Sequence, residues 1–182
     1  MSKIAVFVND GVEEVECLTT VDFCRRGGID VTTVSVTGDP VINGAHGIRF
    51  YTDTLLADVD FSAFDGIVYP GGPGTYSLGD VPGVRALAEQ FLASGKLLAA
   101  ICAAPGMLSQ TGLLLGKTAT GYPGCNPAGQ AEWTENTTER DGNLITGKGP
   151  GAAAYFAIEI IRYLEGEEKA QQIYASTMLP TK

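Results

Sequence analysis

Cys102 lies in the run Leu-Leu-Ala-Ala-Ile-Cys-Ala-Ala-Pro-Gly, residues 97–106, where residue types and spacing point most directly to chemistry. Leu97 to Ile101 reads as a short buried strand, and the small residues after it lead into helix through Met107 and Leu108. A strand that turns directly into a helix exposes the residue at the bend, at the carboxyl edge of its sheet and beside unpaired helical N–H groups. A thiol there has a reason to ionise: the anion accepts those N–H bonds, and the helix field favours negative charge. The competing reading is a small buried hydrophobe, a common role for free cysteine.

Two other segments converge on the same edge. The first strand ends near Val8 and leads into Gly11-Val12-Glu13-Glu14-Val15-Glu16; a strand at Gly66–Tyr69 ends in Pro70-Gly71-Gly72-Pro73-Gly74. In open parallel sheets, sites form beyond the carboxyl ends of the strands, so a carboxylate, a glycine turn and a thiol share one crevice. Glycines let backbone approach closely, and the N–H groups of Gly72 and Ala103 are the expected donors to an oxyanion or an oxidised sulfur. Two anions in contact repel, so Glu16 is expected to hold its proton near neutrality and donate a hydrogen bond to a Cys102 thiolate. On a helix from Val12, Glu13 and Glu16 share a face while Glu14 points elsewhere, and Glu13 favours the helix field. The alternative for all three is a solvated acidic face.

The elements that must position these groups alternate in type. Ile4–Val8, Val31–Val36, Gly66–Tyr69, Leu97–Ile101, Thr118–Gly121 and Leu144–Thr146 read as strands. Val12–Arg26, Gly83–Ser94, Ala152–Leu164 and Glu167–Ala175 read as helices. Val84, Leu87, Ala88, Phe91 and Leu92 fall on one helical face. Val41–Gly44 and Arg49–Tyr51 form a hairpin turning at or just after Asn43-Gly44. Such alternation implies an α/β fold, an open, mostly parallel sheet with helices on both faces. With no repeat or linker, residues 1–182 read as a single domain.

Composition narrows function. A hydrophobic content of 45% with 18% charged residues describes a compact chain, and a net charge of −9 argues against nucleic acid or an anionic membrane as partner. The start of the chain reads as a first strand rather than a signal peptide, so the expected location is cytoplasmic, with reduced thiols. Cys17, Cys24, Cys102 and Cys125 lack metal-type spacing and His46 is the single histidine, which argues against a zinc site. Gly112-Leu-Leu-Leu-Gly116-Lys117-Thr118 is one residue short of a phosphate-binding loop and precedes a strand; in Gly72-Pro73-Gly74, Ser77 stands where a dinucleotide loop needs a third glycine. Cys17 and Cys24, seven apart, share a helix face and read as packing. Cys125 lies in the loop Tyr122-Pro123-Gly124-Cys125-Asn126-Pro127, where a second thiol could resolve an oxidised Cys102. His46 reads as a surface residue or as a contribution to a partner subunit's pocket.

Taken together, Gly11–Glu16, Tyr69-Pro70-Gly71-Gly72, Ala99–Pro105 and Gly147-Lys148-Gly149-Pro150-Gly151 resemble the ThiJ/PfpI superfamily, in its DJ-one branch, over essentially the whole chain. The resemblance implies a flavodoxin-like fold, a homodimer, Cys102 as the reactive and oxidisable thiol on a strained turn, Glu16 as a protonated glutamate beside it, and Gly72 and Ala103 as backbone donors. Gly71, Tyr122 and His46 are candidate pocket residues. Many members place a histidine where this chain has Tyr122, in Thr120-Gly121-Tyr122-Pro123, and its loss argues against peptidase activity. Two functions follow. One is a glyoxalase or deglycase acting on small dicarbonyls, without metal, cofactor or glutathione, through a Cys102 hemithioacetal with Glu16 shuttling the proton. The other is a redox sensor or redox-regulated chaperone, switched by oxidation of Cys102 to sulfinic acid.

Overall fold

The computed structural model describes residues 1–126 and 131–180. In chain order the elements are β1 (Lys3–Val8), α1 (Glu14–Arg26), β2 (Asp30–Ser35), β3 (Val41–Asn43), β4 (Arg49–Tyr51), β5 (Thr54–Leu55), β6 (Gly66–Tyr69), α2 (Thr75–Asp80), α3 (Val84–Ala93), β7 (Leu97–Ile101), α4 (Ala104–Ser109), β8 (Thr118–Ala119), β9 (Glu132–Trp133), β10 (Thr138–Asp141), β11 (Leu144–Gly147), α5 (Ala153–Glu165) and α6 (Glu167–Ser176). The main sheet has seven strands in the order β10-β11-β7-β6-β1-β2-β5. Its pairings are parallel except β10 against β11.

The central strands are apolar along their whole length because both faces are covered. Their residues divide by alternation: Ile4, Val6, Val8, Leu97, Ala99 and Ile101 pack on the side of Phe156, Ile160 and Ile161 of α5. Ala5, Phe7, Leu98 and Ala100 pack on the side of Leu78, Val84, Phe91 and Met107. This is the expected mostly parallel sheet between two helical layers, and β3 and β4 form the expected antiparallel hairpin.

Two local expectations change. The first helix begins at Glu14, not Val12, because Glu13 caps it: its carboxylate accepts the Glu16 N–H at 2.7 Å. The hairpin turns just after Asn43, as expected, closing through residues 44–48 with the Gly44 N–H donating to the Ile48 carbonyl at 2.9 Å. The strand expected over Thr118–Gly121 ends at Ala119, since the Thr120 N–H turns to the Thr146 hydroxyl at 2.9 Å. It pairs with β9 in a small separate sheet. In the loop after it, Pro127 lies outside the described residues.

Candidate active site

β1, β6 and β7 end side by side, and the segments that leave them carry the candidate groups. Cys102 follows β7 directly. Its φ is +64°, in the left-handed region that non-glycine residues rarely adopt, and its N–H is held by the Gly147 carbonyl at 2.9 Å. The bend is therefore a strained strand-to-helix elbow. Beyond it α4 runs only from Ala104 to Ser109, so direct N–H contacts matter more here than a helix field. Those contacts come from the backbone of Ala103 and Gly72, which both hydrogen-bond the sulfur.

Gly72 has φ +108°, and a Cβ there would meet the Glu13 nitrogen and the Gly11 oxygen at 2.5 Å each. Gly71 is equally confined: a Cβ would lie 2.5 Å from Cys102 Cβ and 2.7 Å from Glu16 Oε2. These glycines let the β6 turn wedge between thiol and carboxyl.

Glu16 is fully buried, in the first turn of α1. Its Oε2 accepts the Gly71 N–H at 2.8 Å; its Oε1 has no hydrogen-bond partner of good geometry, and the carboxyl interacts with the Cys102 thiol. Burial pushes Glu16 up to about 7, against the Cys102 and Gly71 hydrogen bonds that lower it. Burial, then the Glu16 charge, push the Cys102 thiol up to about 12, against the two backbone N–H groups. The low thiol pKa expected from the bend is thus absent while Glu16 is ionised. Sulfur carries the charge when Glu16 keeps the proton, and one negative charge is what this buried pair accommodates between those two values.

The expectation of a solvated acidic face fails: Glu13, Glu14 and Glu16 are all buried, while Val15 and Leu18 are exposed. Glu14, read as pointing elsewhere, reaches the hairpin. Its Oε1 accepts the His46 N–H at 2.6 Å and its Oε2 lies 2.8 Å from His46 Nδ1. Burial would raise Glu14, but bonds from the His46 ring, His46 N–H and Ile48 N–H outweigh it and bring it to about 2. The ligating atoms of Glu13, Glu14 and His46 lie within 4.8 Å of one another, a spacing compatible with a metal ion, yet both Glu14 oxygens are already satisfied by His46.

Cys102 opens on a cavity of about 520 Å³ lined by Glu13, His46, Gly72, Pro73, Tyr76, Cys102, Ala103, Tyr122 and Pro150. Tyr122 is half exposed and ties its loop to the elbow, its N–H donating to the Cys102 carbonyl at 2.8 Å. Tyr76, on the short helix α2, was not anticipated from sequence, and Pro150 was quoted only as part of the Gly147–Gly151 motif, not as a cavity residue. Cys125 is half-buried and hydrogen-bonds the Tyr76 hydroxyl. Cys17 and Cys24 are fully buried, their thiols pushed up by burial, as packing residues are.

A family model described as DJ-1/PfpI family matches residues 2–163. The chain belongs to this family. It is 38% identical to Protein dj-1beta of Drosophila melanogaster over 178 residues, 95% of each chain. The crystal structure of that relative superposes with a TM-score of 0.94 at 35% identity, covering 100% of both chains. The chain is 33% identical over 174 residues to a Caenorhabditis elegans protein named glutathione-independent glyoxalase DJR-1.2, covering 94% of this chain and 93% of that one. The structure titled Toxoplasma gondii DJ-1, oxidized, matches with a TM-score of 0.92 and 31% identity, over 100% of both chains.

Proposed function

We propose that this DJ-1/PfpI protein is a glutathione-independent glyoxalase or deglycase that acts on small dicarbonyls through Cys102. The carrying observation is the pairing of a strained thiol with a buried carboxyl whose Oε1 lacks a partner, beside an open cavity. A proton on Oε1 turns that orphan acceptor into a donor to the sulfur anion, which removes the penalty of an unsatisfied buried oxygen. The Cys102 thiolate attacks the aldehyde carbon of a dicarbonyl such as methylglyoxal, and Glu16 protonates the resulting alkoxide to give a hemithioacetal. Glu16, now a carboxylate, takes the hydrogen from that carbon and returns it to the neighbouring carbon. The product is a thioester of a hydroxy acid, which water hydrolyses to free Cys102. The relative named as a glyoxalase supports this reading.

The test is lactate formation from methylglyoxal without glutathione. Cys102→Ser should lose it; turnover at the wild-type rate in that variant ends the proposal. The four cysteines form no disulfide in the structure, which supports a cytoplasmic location.

A second reading has its own support in the oxidised relative. Here Cys102 is a redox sensor or redox-regulated chaperone, and the Gly72 and Ala103 N–H groups bind the sulfinate oxygens. Peroxide titration followed by peptide mass spectrometry tests it: oxidation of Cys125, Cys17 or Cys24 ahead of Cys102 would refute it.

A further inference from the structure

We infer that His46 is a second proton-transfer residue of the Cys102 cavity, the group that protonates the substrate's second carbonyl oxygen; this rests on the glyoxalase reading above. His46 lies in the hairpin turn, distant from Cys102 in sequence, yet both line the same cavity. The turn is pinned to the start of α1. The Ala45 N–H donates to the Val12 carbonyl at 2.9 Å, and the His46 N–H donates to Glu14 Oε1 at 2.6 Å. Gly44 permits this approach, since a Cβ there would lie 2.2 Å from the same Glu14 oxygen.

The imidazole itself is 70% exposed, so packing does not hold it. A buried carboxylate does. Glu14 is an anion at any working pH, so His46 Nδ1 carries the hydrogen and donates it across 2.8 Å. Nε2 is left for the cavity. A ring oriented by a carboxylate through one nitrogen and working with the other is the general design of an imidazole acid or base. The charges acting on it among the described residues are Glu14 and, at 3.8 Å, Glu13. Both favour the imidazolium and raise its pKa above the ordinary 6.5.

The reaction needs what His46 supplies. Turning a hemithioacetal into a hydroxy-acid thioester moves one hydrogen from the first carbon to the second and places another on the second oxygen. Glu16 handles the first transfer, and one carboxyl cannot make both at once. Nε2–H of His46 gives its proton to the second oxygen as Glu16 removes the carbon-bound hydrogen. The first carbon's hydroxyl then loses its proton as the thioester carbonyl forms, and that proton restores the imidazolium. No oxidant, metal or external base enters the balance. Tyr122 and Tyr76 also line the cavity, but the Tyr76 hydroxyl is engaged with Cys125 and its pKa is raised, chiefly by burial.

The test compares wild type, His46→Gln, Glu14→Gln and Cys102→Ser with methylglyoxal as substrate. In wild type kcat/KM should rise with ionisation of the Cys102–Glu16 pair and fall as His46 deprotonates. His46→Gln should lose the alkaline limb and about 10²-fold in rate, keeping the acid limb. Glu14→Gln should move the alkaline limb toward lower pH. Because the chain has one histidine, its imidazole proton resonance can be titrated directly by NMR, and its midpoint should coincide with that limb. An unchanged rate and pH profile in His46→Gln, alongside an inactive Cys102→Ser, would overturn the role of His46 and leave the Cys102 reading intact. Full activity in Cys102→Ser would instead remove the glyoxalase reading and this inference with it. An imidazole midpoint at or below 6.5 would overturn the inference on a measurement independent of turnover.

Discussion

Replacing Glu16 with glutamine distinguishes the two places where the single charge of the buried pair can reside. The values for the two groups are about 7 and about 12. If the first proton leaves sulfur, roughly half of Cys102 is thiolate at pH 7; if it leaves Glu16, the thiolate is on the order of 10⁻⁵ of the population. The geometry favours sulfur. Two backbone N–H groups serve the thiolate, from Gly72 and Ala103, whereas the carboxylate has one, from Gly71, besides the weak S–H donor of Cys102. In Glu16→Gln a neutral amide donor replaces a carboxyl O–H at the anionic sulfur, at a cost of about 1–2 kcal/mol. That is about one pH unit, so the Cys102 midpoint should rise. With the opposite assignment the substitution removes a negative charge about 4 Å from the thiol. At an effective dielectric of about 20 that is about 4 kcal/mol, and the midpoint should fall by about three units. The assay is the rate of Cys102 alkylation by iodoacetamide against pH, read by peptide mass spectrometry. A wild-type midpoint near 12 that falls on substitution would refute the placement of the charge on sulfur.

Gly72→Ala should destabilise the fold by at least about 2 kcal/mol, because the positive φ and the clash with two backbone atoms act together; Gly95→Ala, with φ +76° but open space, should cost about 1 kcal/mol, and thermal unfolding measures both. Glu14 is held below its unfolded value of 4.5, so its contribution to stability is present above that pH and is lost as pH falls toward 2. Denaturant unfolding across that range should show a loss in wild type that is reduced in Glu14→Gln. We also propose that the chain forms a homodimer, supported by the exposed Val15, Leu18, Ile48 and Tyr51 around the start of α1 and the hairpin. Sedimentation velocity should show a dimer that Val15→Glu weakens; a monomer at micromolar concentration would contradict it.

The sheet was legible because its strands carry their burial openly. Ile4–Val8, Gly66–Tyr69 and Leu97–Ile101 are continuous apolar runs, and such runs arise where a strand is covered on both faces. The amphipathic stripe of α3 was equally plain. The short pieces were less so: β5 and β9 have two residues each, too few for any period to show, and β8, expected over Thr118–Gly121, also stops at two. The strand β10, with Glu139, Arg140 and Asp141 on a sheet edge, has no apolar signature to read.

The same division runs through the site. Local sequence determined that Cys102 stands at a strand-to-helix bend, that Gly71 and Gly72 allow backbone into the crevice, and that carboxylates follow the first strand, since each depends on a few adjacent residues. What Glu13 and Glu14 do was decided by tertiary structure. Glu13, expected inside the helix, caps it instead, Glu16 is buried beside the Gly71 N–H, and Glu14, buried as well, reaches across to the hairpin. The partnership of Glu14 with His46, 32 positions apart, depends on where a turn lands after the chain has folded back, and no spacing along the sequence encodes that distance.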